Sequence, residues 1–262
     1  MKPDVLTTQA VDLVAGQTPW WRAPVAVWRL ARTVMYLLWV AGRMSQGFER
    51  LSPSVQQQRI QGWSWRVLRC LGIQLVVHGS FRPGAKLVVA NHVSWLDILA
   101  INATHPSKFV SKSEVGQWPV VGRMVVLAGT LLLERARRRD AMRVMGLLTS
   151  ALRDGGTAAV FPEGTTGNGH RLLHFHGNLL QSAIDADVPI QPVAIRYSDR
   201  EHLVSPQAAY VGDTTLVQSL WWVAGAQRLS VTLTVLPPQR VTHADRRALA
   251  ESLSAQIDAA LR

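Results

Sequence analysis

A histidine and an aspartate stand five positions apart in NHVSWLD, residues 91–97. His92 could act as a general base, with Asp97 orienting its imidazole. On one continuous helix, five steps would leave the two side chains about 140° apart, too far to meet. They meet if His92 lies in a strand-to-helix turn and Asp97 in the first turn of the helix. The preceding run KLVVA, residues 86–90, supplies a strand, and Ser94 with Asp97 has the form of a capping box. A capping aspartate beside an ordinary loop histidine would look the same, so this pair alone is a weak signal.

Two further segments carry comparable chemistry. FPEGTTGNG, residues 161–169, follows the apolar run TAAV. Its glycines and threonines can turn backbone N–H groups toward an anion. Glu163 puts a carboxylate at the edge where open α/β sheets bind ligands. An ordinary turn has the same composition. GTLLLERARRRD, residues 129–140, ends a strand on Glu134 and Arg135. An arginine there suits a phosphate through its planar fork, whereas Arg137, Arg138 and Arg139 equally fit a solvated helix start. His170, His174 and His176 cluster, but their spacing matches no paired-ligand pattern and no nearby acid completes a site. No metal is expected.

The elements that must position these residues follow from periodicity. Short β-rich runs at 73–77, 86–90, 108–111, 130–133, 157–161, 190–195 and 229–236 alternate with helical stretches at 93–104, 120–128, 140–153, 178–186 and 245–261. That alternation predicts an α/β domain with a mixed, largely parallel sheet flanked by helices. At 262 residues, with a single cysteine, the chain can build one full catalytic domain and has no disulfide framework.

The first 71 residues read differently. No secretory signal is expected, since residues 1–18 lack an apolar run. Residues 23–42 are mostly apolar but interrupted by Arg29 and Arg32, and the uninterrupted stretch 33–42 is short of the roughly 20 residues that span a bilayer. Arg22, Arg29, Arg32 and Arg43 fall in a stripe of roughly 80° on a helical wheel. Trp20 and Trp21 precede it as interfacial anchors would. A second amphipathic helix follows at 55–71. The expectation is a two-helix membrane-associating motif over 1–71 that lies in an interface, its arginines meeting anionic lipid, and a catalytic domain over 72–262. A net charge of +11 and ten tryptophans favour an anionic membrane surface as partner. No helix-turn-helix, zinc-finger or RNP pattern supports the alternative, a basic nucleic-acid binder. No G-x-S-x-G elbow supports a lipase or thioesterase.

Taken in order, the segments resemble the PlsC-like lysophospholipid/glycerol-phosphate acyltransferase family. NHVSWLD looks like its N-H-x-S-x-x-D block. GTLLLER resembles a second block, FPEGTT the F-P-E-G-T-R block, VPIQPVAI the fourth, and KFVSKSEVGQWPVVG the segment between the first two. The resemblance implies a cofactor-free O-acyltransferase using an acyl-ACP or acyl-CoA donor and a lysolipid acceptor. It would work on the cytoplasmic face of a bacterial inner membrane, peripheral or monotopic. It makes His92 the base and Asp97 its orienter. Glu163, Gly164, Thr165 and Thr166 would hold the acceptor, with Arg135 and Lys112 on its anionic headgroup. Thr166 departs from the usual arginine, and His176 stands where a lysine is expected. The Thr166 version of the loop resembles lyso-ornithine lipid acyltransferases. The implied acceptor is 1-acyl-sn-glycerol-3-phosphate, giving phosphatidic acid, with a lyso-ornithine lipid as the alternative.

Overall fold

The computed structural model describes residues 16–118, 121–134, 138–242 and 244–262. Seven strands form one sheet: β1 (Gln74–His78), β2 (Lys86–Ala90), β3 (Lys108–Lys112), β4 (Leu131–Leu133), β5 (Thr157–Val160), β6 (Ile190–Ser198) and β7 (Ser230–Val235). Their order is β1-β7-β6-β2-β5-β3-β4. All neighbours run parallel except β6 and β7. The mixed, mostly parallel sheet expected from the sequence is therefore present.

Eight α-helices accompany it among the described residues: α1 (Ala23–Ser45), α2 (Pro53–Leu71), α3 (Leu96–Thr104), α4 (Val121–Leu127), α5 (Arg138–Arg153), α6 (Gln181–Ala186), α7 (Leu216–Gly225) and α8 (Arg246–Leu261). β2 is buried along its whole length, as a strand covered on both faces must be. Val88 and Ala90 join α2, α3 and α7 in one core. Leu87 and Val89 join α5, α6 and α8 in the other. The alternation of side chains along a strand thus builds a three-layer α/β/α body.

Helix α7 is missing from the sequence reading. Its signal was local: Thr215 accepts the Gln218 backbone N–H at 3.3 Å, and the Gln218 side chain accepts the Thr215 N–H at 2.9 Å, a complete capping box.

Helix α1 corrects the expected orientation of the arginine stripe. Arg22 donates to the carbonyls of Gly225 and Ala226, each at 3.0 Å. Arg29 donates to Ala224 at 3.0 Å and to Ala226 at 2.9 Å. Arg32 donates to Arg69 at 2.8 Å and Cys70 at 2.7 Å. These are the last carbonyls of α7 and α2, where a helix has unsatisfied acceptors and the negative end of its dipole. Arg29 and Arg32 therefore face inward and fasten α1 to the body. Gly72 makes room for this clasp. Its φ is +80°, and a Cβ there would lie 2.3 Å from Arg29 Cζ.

The opposite side of α1 is apolar and exposed: Val27, Trp28, Val34, Met35, Leu38 and Trp39 all face outward. Trp20 and Trp21 precede them at 82% and 59% exposure, and Arg43 is exposed near the far end. Trp20–Ser45 is long and apolar enough to cross a membrane by length and composition, yet its inner side is fixed to α2 and α7.

Candidate active site

The parallel strands β2, β3, β4, β5 and β6 all end on one edge of the sheet, and the chemistry-bearing segments gather there. Asn91 leaves β2 and mimics a continued strand pairing. Its side chain donates to the Ile195 carbonyl at 2.9 Å and accepts the Ile195 N–H at 2.7 Å. The chain then turns through His92 to Trp95 before α3 begins.

His92 and Asp97 meet as the spacing allowed. Asp97 is fully buried. Its Oδ2 accepts the His92 Nδ1–H at 2.8 Å and the backbone N–H groups of Val93 and Ser94 at 2.7 and 3.0 Å. Its Oδ1 accepts the Tyr197 phenol at 2.7 Å. Two backbone donors mark the carboxylate as acceptor, so Nδ1 carries the imidazole proton and Nε2 keeps its lone pair. The His92 ring stacks on Phe161 at 4.0 Å, nearly parallel at 9°. Its side chain stays 19% exposed, which leaves one edge open to a reactant.

The expected capping box is only half made. Asp97 accepts the Ser94 N–H, but Ser94 Oγ is buried without a hydrogen-bond partner. The Asp97 N–H, which the serine hydroxyl would accept in a full box, donates instead to the Ser94 carbonyl at 3.1 Å.

Glu163 is tied to the backbone through both of its oxygens. It is 5% exposed. Its Oε1 accepts the His92 N–H at 2.7 Å and its Oε2 accepts the Leu173 N–H at 3.0 Å. Burial pushes its carboxyl up from the ordinary value, against the pull of the two amides. Both oxygens are engaged with backbone, so Glu163 braces the histidine turn from below.

Gly164 holds φ +69° in the turn that follows, a left-handed conformation that favours glycine. Gly164 N–H donates to Phe161 and Gly167 N–H to the His92 carbonyl at 2.7 Å, so two of the loop amides serve the fold. Thr166 donates its hydroxyl to the Tyr210 carbonyl, and Tyr210 N–H returns to Val93 at 3.0 Å. Thr165 is the exposed threonine of the pair. Lys112 stands exposed at the end of β3, and Arg135 lies outside the described residues. His174 and His176 are exposed with ring centroids 5.0 Å apart, and His176 comes close to Gly164.

Spacing pointed to His92 and Asp97. It gave no sign of Tyr197, which is 100 residues from Asp97, or of Tyr210. Asn91 and Phe161 lay inside the recognised blocks, but their contacts become visible only in three dimensions.

The arrangement is a strand-end histidine with an oriented tautomer, a buried carboxylate behind it and an open ring nitrogen. It can take a proton from a bound hydroxyl. Residues 74–196 match the family model described as Acyltransferase. The chain is 36% identical over 223 residues to the lyso-ornithine lipid O-acyltransferase of Pseudomonas aeruginosa, covering 85% of each protein. It is 34% identical over 236 residues to the 1-acyl-sn-glycerol-3-phosphate acyltransferase of Neisseria meningitidis, covering 88% of this chain and 92% of that one. The crystal structure of PlsC, the 1-acyl-sn-glycerophosphate (LPA) acyltransferase of Thermotoga maritima, shares the fold with a TM-score of 0.70 at 21% identity, over 91% of this chain and 93% of that one. The chain belongs to the PlsC-like acyltransferase family and is an acyltransferase.

Proposed function

We propose that this enzyme moves a fatty acyl group from an acyl-ACP or acyl-CoA thioester to the free hydroxyl of a lysolipid, with His92 as general base. The observation that carries this reading is the His92–Asp97 contact, which leaves Nε2 as an open acceptor. The acceptor hydroxyl gives its proton to Nε2 as its oxygen bonds to the thioester carbonyl carbon. The C–S bond then breaks, and the imidazolium returns the proton to the departing thiolate. Asp97 holds the tautomer and offsets the imidazolium charge. The nucleophile belongs to the substrate, so no acyl-enzyme is required.

The preferred acceptor is 1-acyl-sn-glycerol-3-phosphate. Exposed Lys112 at the sheet edge is suited to its phosphate, with Arg135 as the second expected ligand. The alternative, a lyso-ornithine lipid, is favoured by Thr166. That position lacks a guanidinium, and its hydroxyl is already bound to Tyr210.

Residues 1–71 serve as a membrane-associating motif and 72–262 as the catalytic domain. The outward face of α1 enters the acyl region of the bilayer without crossing it, because the inner face is clasped to α2 and α7. Trp20 and Trp21 anchor that helix at the interface, and Arg43 meets anionic headgroups. A thioester donor made in the cytoplasm puts the site on the cytoplasmic face of the inner membrane.

The test is a purified-enzyme acyl-transfer assay with both acceptors side by side, on wild type and His92→Ala. Loss of turnover by about 10²–10⁴-fold with the fold intact is expected. A His92→Ala protein with wild-type turnover would end the base assignment.

A further inference from the structure

We infer that Tyr197 is a positioning residue for acyl transfer, its phenol hydroxyl setting the proton affinity of the His92–Asp97 pair through Asp97 Oδ1. The inference rests on the base reading of His92 and deepens it.

The Asp97 carboxylate divides its partners unequally. Oδ2 takes three N–H donors, from His92, Val93 and Ser94. Oδ1 takes the Tyr197 hydroxyl. Asp97 is 0% and Tyr197 2% exposed, so bulk water does not replace that donor. A hydrogen bond to a buried carboxylate stabilises its charge and makes it a weaker base. A weaker base behind Nδ1 stabilises the imidazolium less. The phenol therefore tunes how readily His92 Nε2 holds a proton.

Strand geometry makes Tyr197 suited to the task. β6 lies parallel to β2, with Val193 beside Ala90. Ile195 receives Asn91 at the start of the histidine turn, and Tyr197, two residues further, receives Asp97 at its end. Residues two apart on a strand share a face. One strand thus grips both ends of the seven-residue motif. The phenol stays a donor, because burial, and then the nearby Asp97 charge, raise it well above its ordinary value. Glu163 is a further titratable group close to His92, its carboxylate accepting the His92 backbone N–H.

Tyr197→Phe keeps the ring and removes only the donor. The His92 imidazole, followed by NMR titration, should then move up by about half to one pH unit. The acid limb of kcat/KM should move with it, and kcat should fall about tenfold with KM within about twofold. In an Asp97→Asn background the same change should add nothing. A more acidic 2,3-difluorotyrosine at 197 is a stronger donor and should move the titration down, which keeps the test open if the phenylalanine variant folds poorly. An unchanged or oppositely shifted His92 titration overturns the inference, whatever the turnover. Retained turnover in His92→Ala overturns the base reading instead, so the two failures are separable.

Discussion

Glu163 holds the backbone N–H of His92 at 2.7 Å, although 71 residues separate them in the chain. Its second oxygen holds Leu173 at 3.0 Å. A carboxylate so placed fixes where the His92 turn sits.

Glu163→Gln replaces one oxygen by an NH₂ group facing a backbone donor. One buried amide then loses its acceptor, at a cost of about 1–3 kcal/mol. We expect lower stability in urea and a lower kcat, with the acceptor KM little changed. A large rise in KM at unchanged stability would show that Glu163 touches the acceptor after all.

The membrane prediction follows from the orientation of α1. Met35→Glu and Leu38→Glu put charge on the outward face and should weaken liposome binding about tenfold or more each, from lost apolar burial. Salt should weaken wild-type binding only by the share that Arg43 and the other exposed cations contribute, since screening acts on charge and not on apolar contact. Arg29→Glu and Arg32→Glu should act on stability, by placing carboxylates against the carbonyl ends of α7 and α2. If the arginine variants lost liposome binding with Tm unchanged, the inward clasp would not describe the protein in solution.

A pH prediction comes from the far end of the sheet. His105 Nε2 accepts from Lys86 Nζ at 2.8 Å, and its ring stacks on Phe81. Burial, helped by the Lys86 charge, lowers the His105 pKa from 6.5 to about 4. The folded state keeps the ring neutral while the unfolded chain takes up a proton. Stability is therefore intact above pH 6.5 and falls as pH drops toward about 4, by at most about 3 kcal/mol from this group. His105→Gln keeps an acceptor for Lys86 and should flatten that slope. Urea unfolding at several acidic pH values measures it, and an identical slope in the variant would refute the assignment.

Much of the fold was legible because local signals agreed with it. β2 reads correctly from Lys86 to Ala90, where an apolar run ends at Asn91. The His92–Asp97 contact was legible because both residues lie in one turn. The contacts of Glu163 with His92, Thr166 with Tyr210 and Tyr197 with Asp97 were harder, since each spans at least 44 residues. The arginine stripe shows a different limit. A helical wheel gives the angle between faces but not which face meets the body, and carbonyls at the ends of α7 and α2 decided that. Arginine stems pack while their heads bond, so a charged stripe can be the side that faces the body.

The acceptor question turns on Thr166. Its hydroxyl ties the loop to Tyr210, so any substitution first loses that bond. Thr166→Ala measures this loss alone, and should cost both acceptors equally. Thr166→Arg adds a guanidinium near the loop. If the acceptor carries a phosphate, each new charge-assisted hydrogen bond is worth about 1.5–3 kcal/mol. KM for 1-acyl-sn-glycerol-3-phosphate should then fall below that of the alanine variant. The ornithine headgroup carries an ammonium, which the new charge repels, and its KM should rise above the same reference. Competition kinetics with both acceptors on wild type, Thr166→Ala and Thr166→Arg separate the loop effect from the charge effect. A wild-type enzyme inert on the phosphate acceptor and active on the ornithine lipid would reverse the preferred order, and would make the Thr166–Tyr210 link part of a headgroup site that does without a guanidinium at position 166.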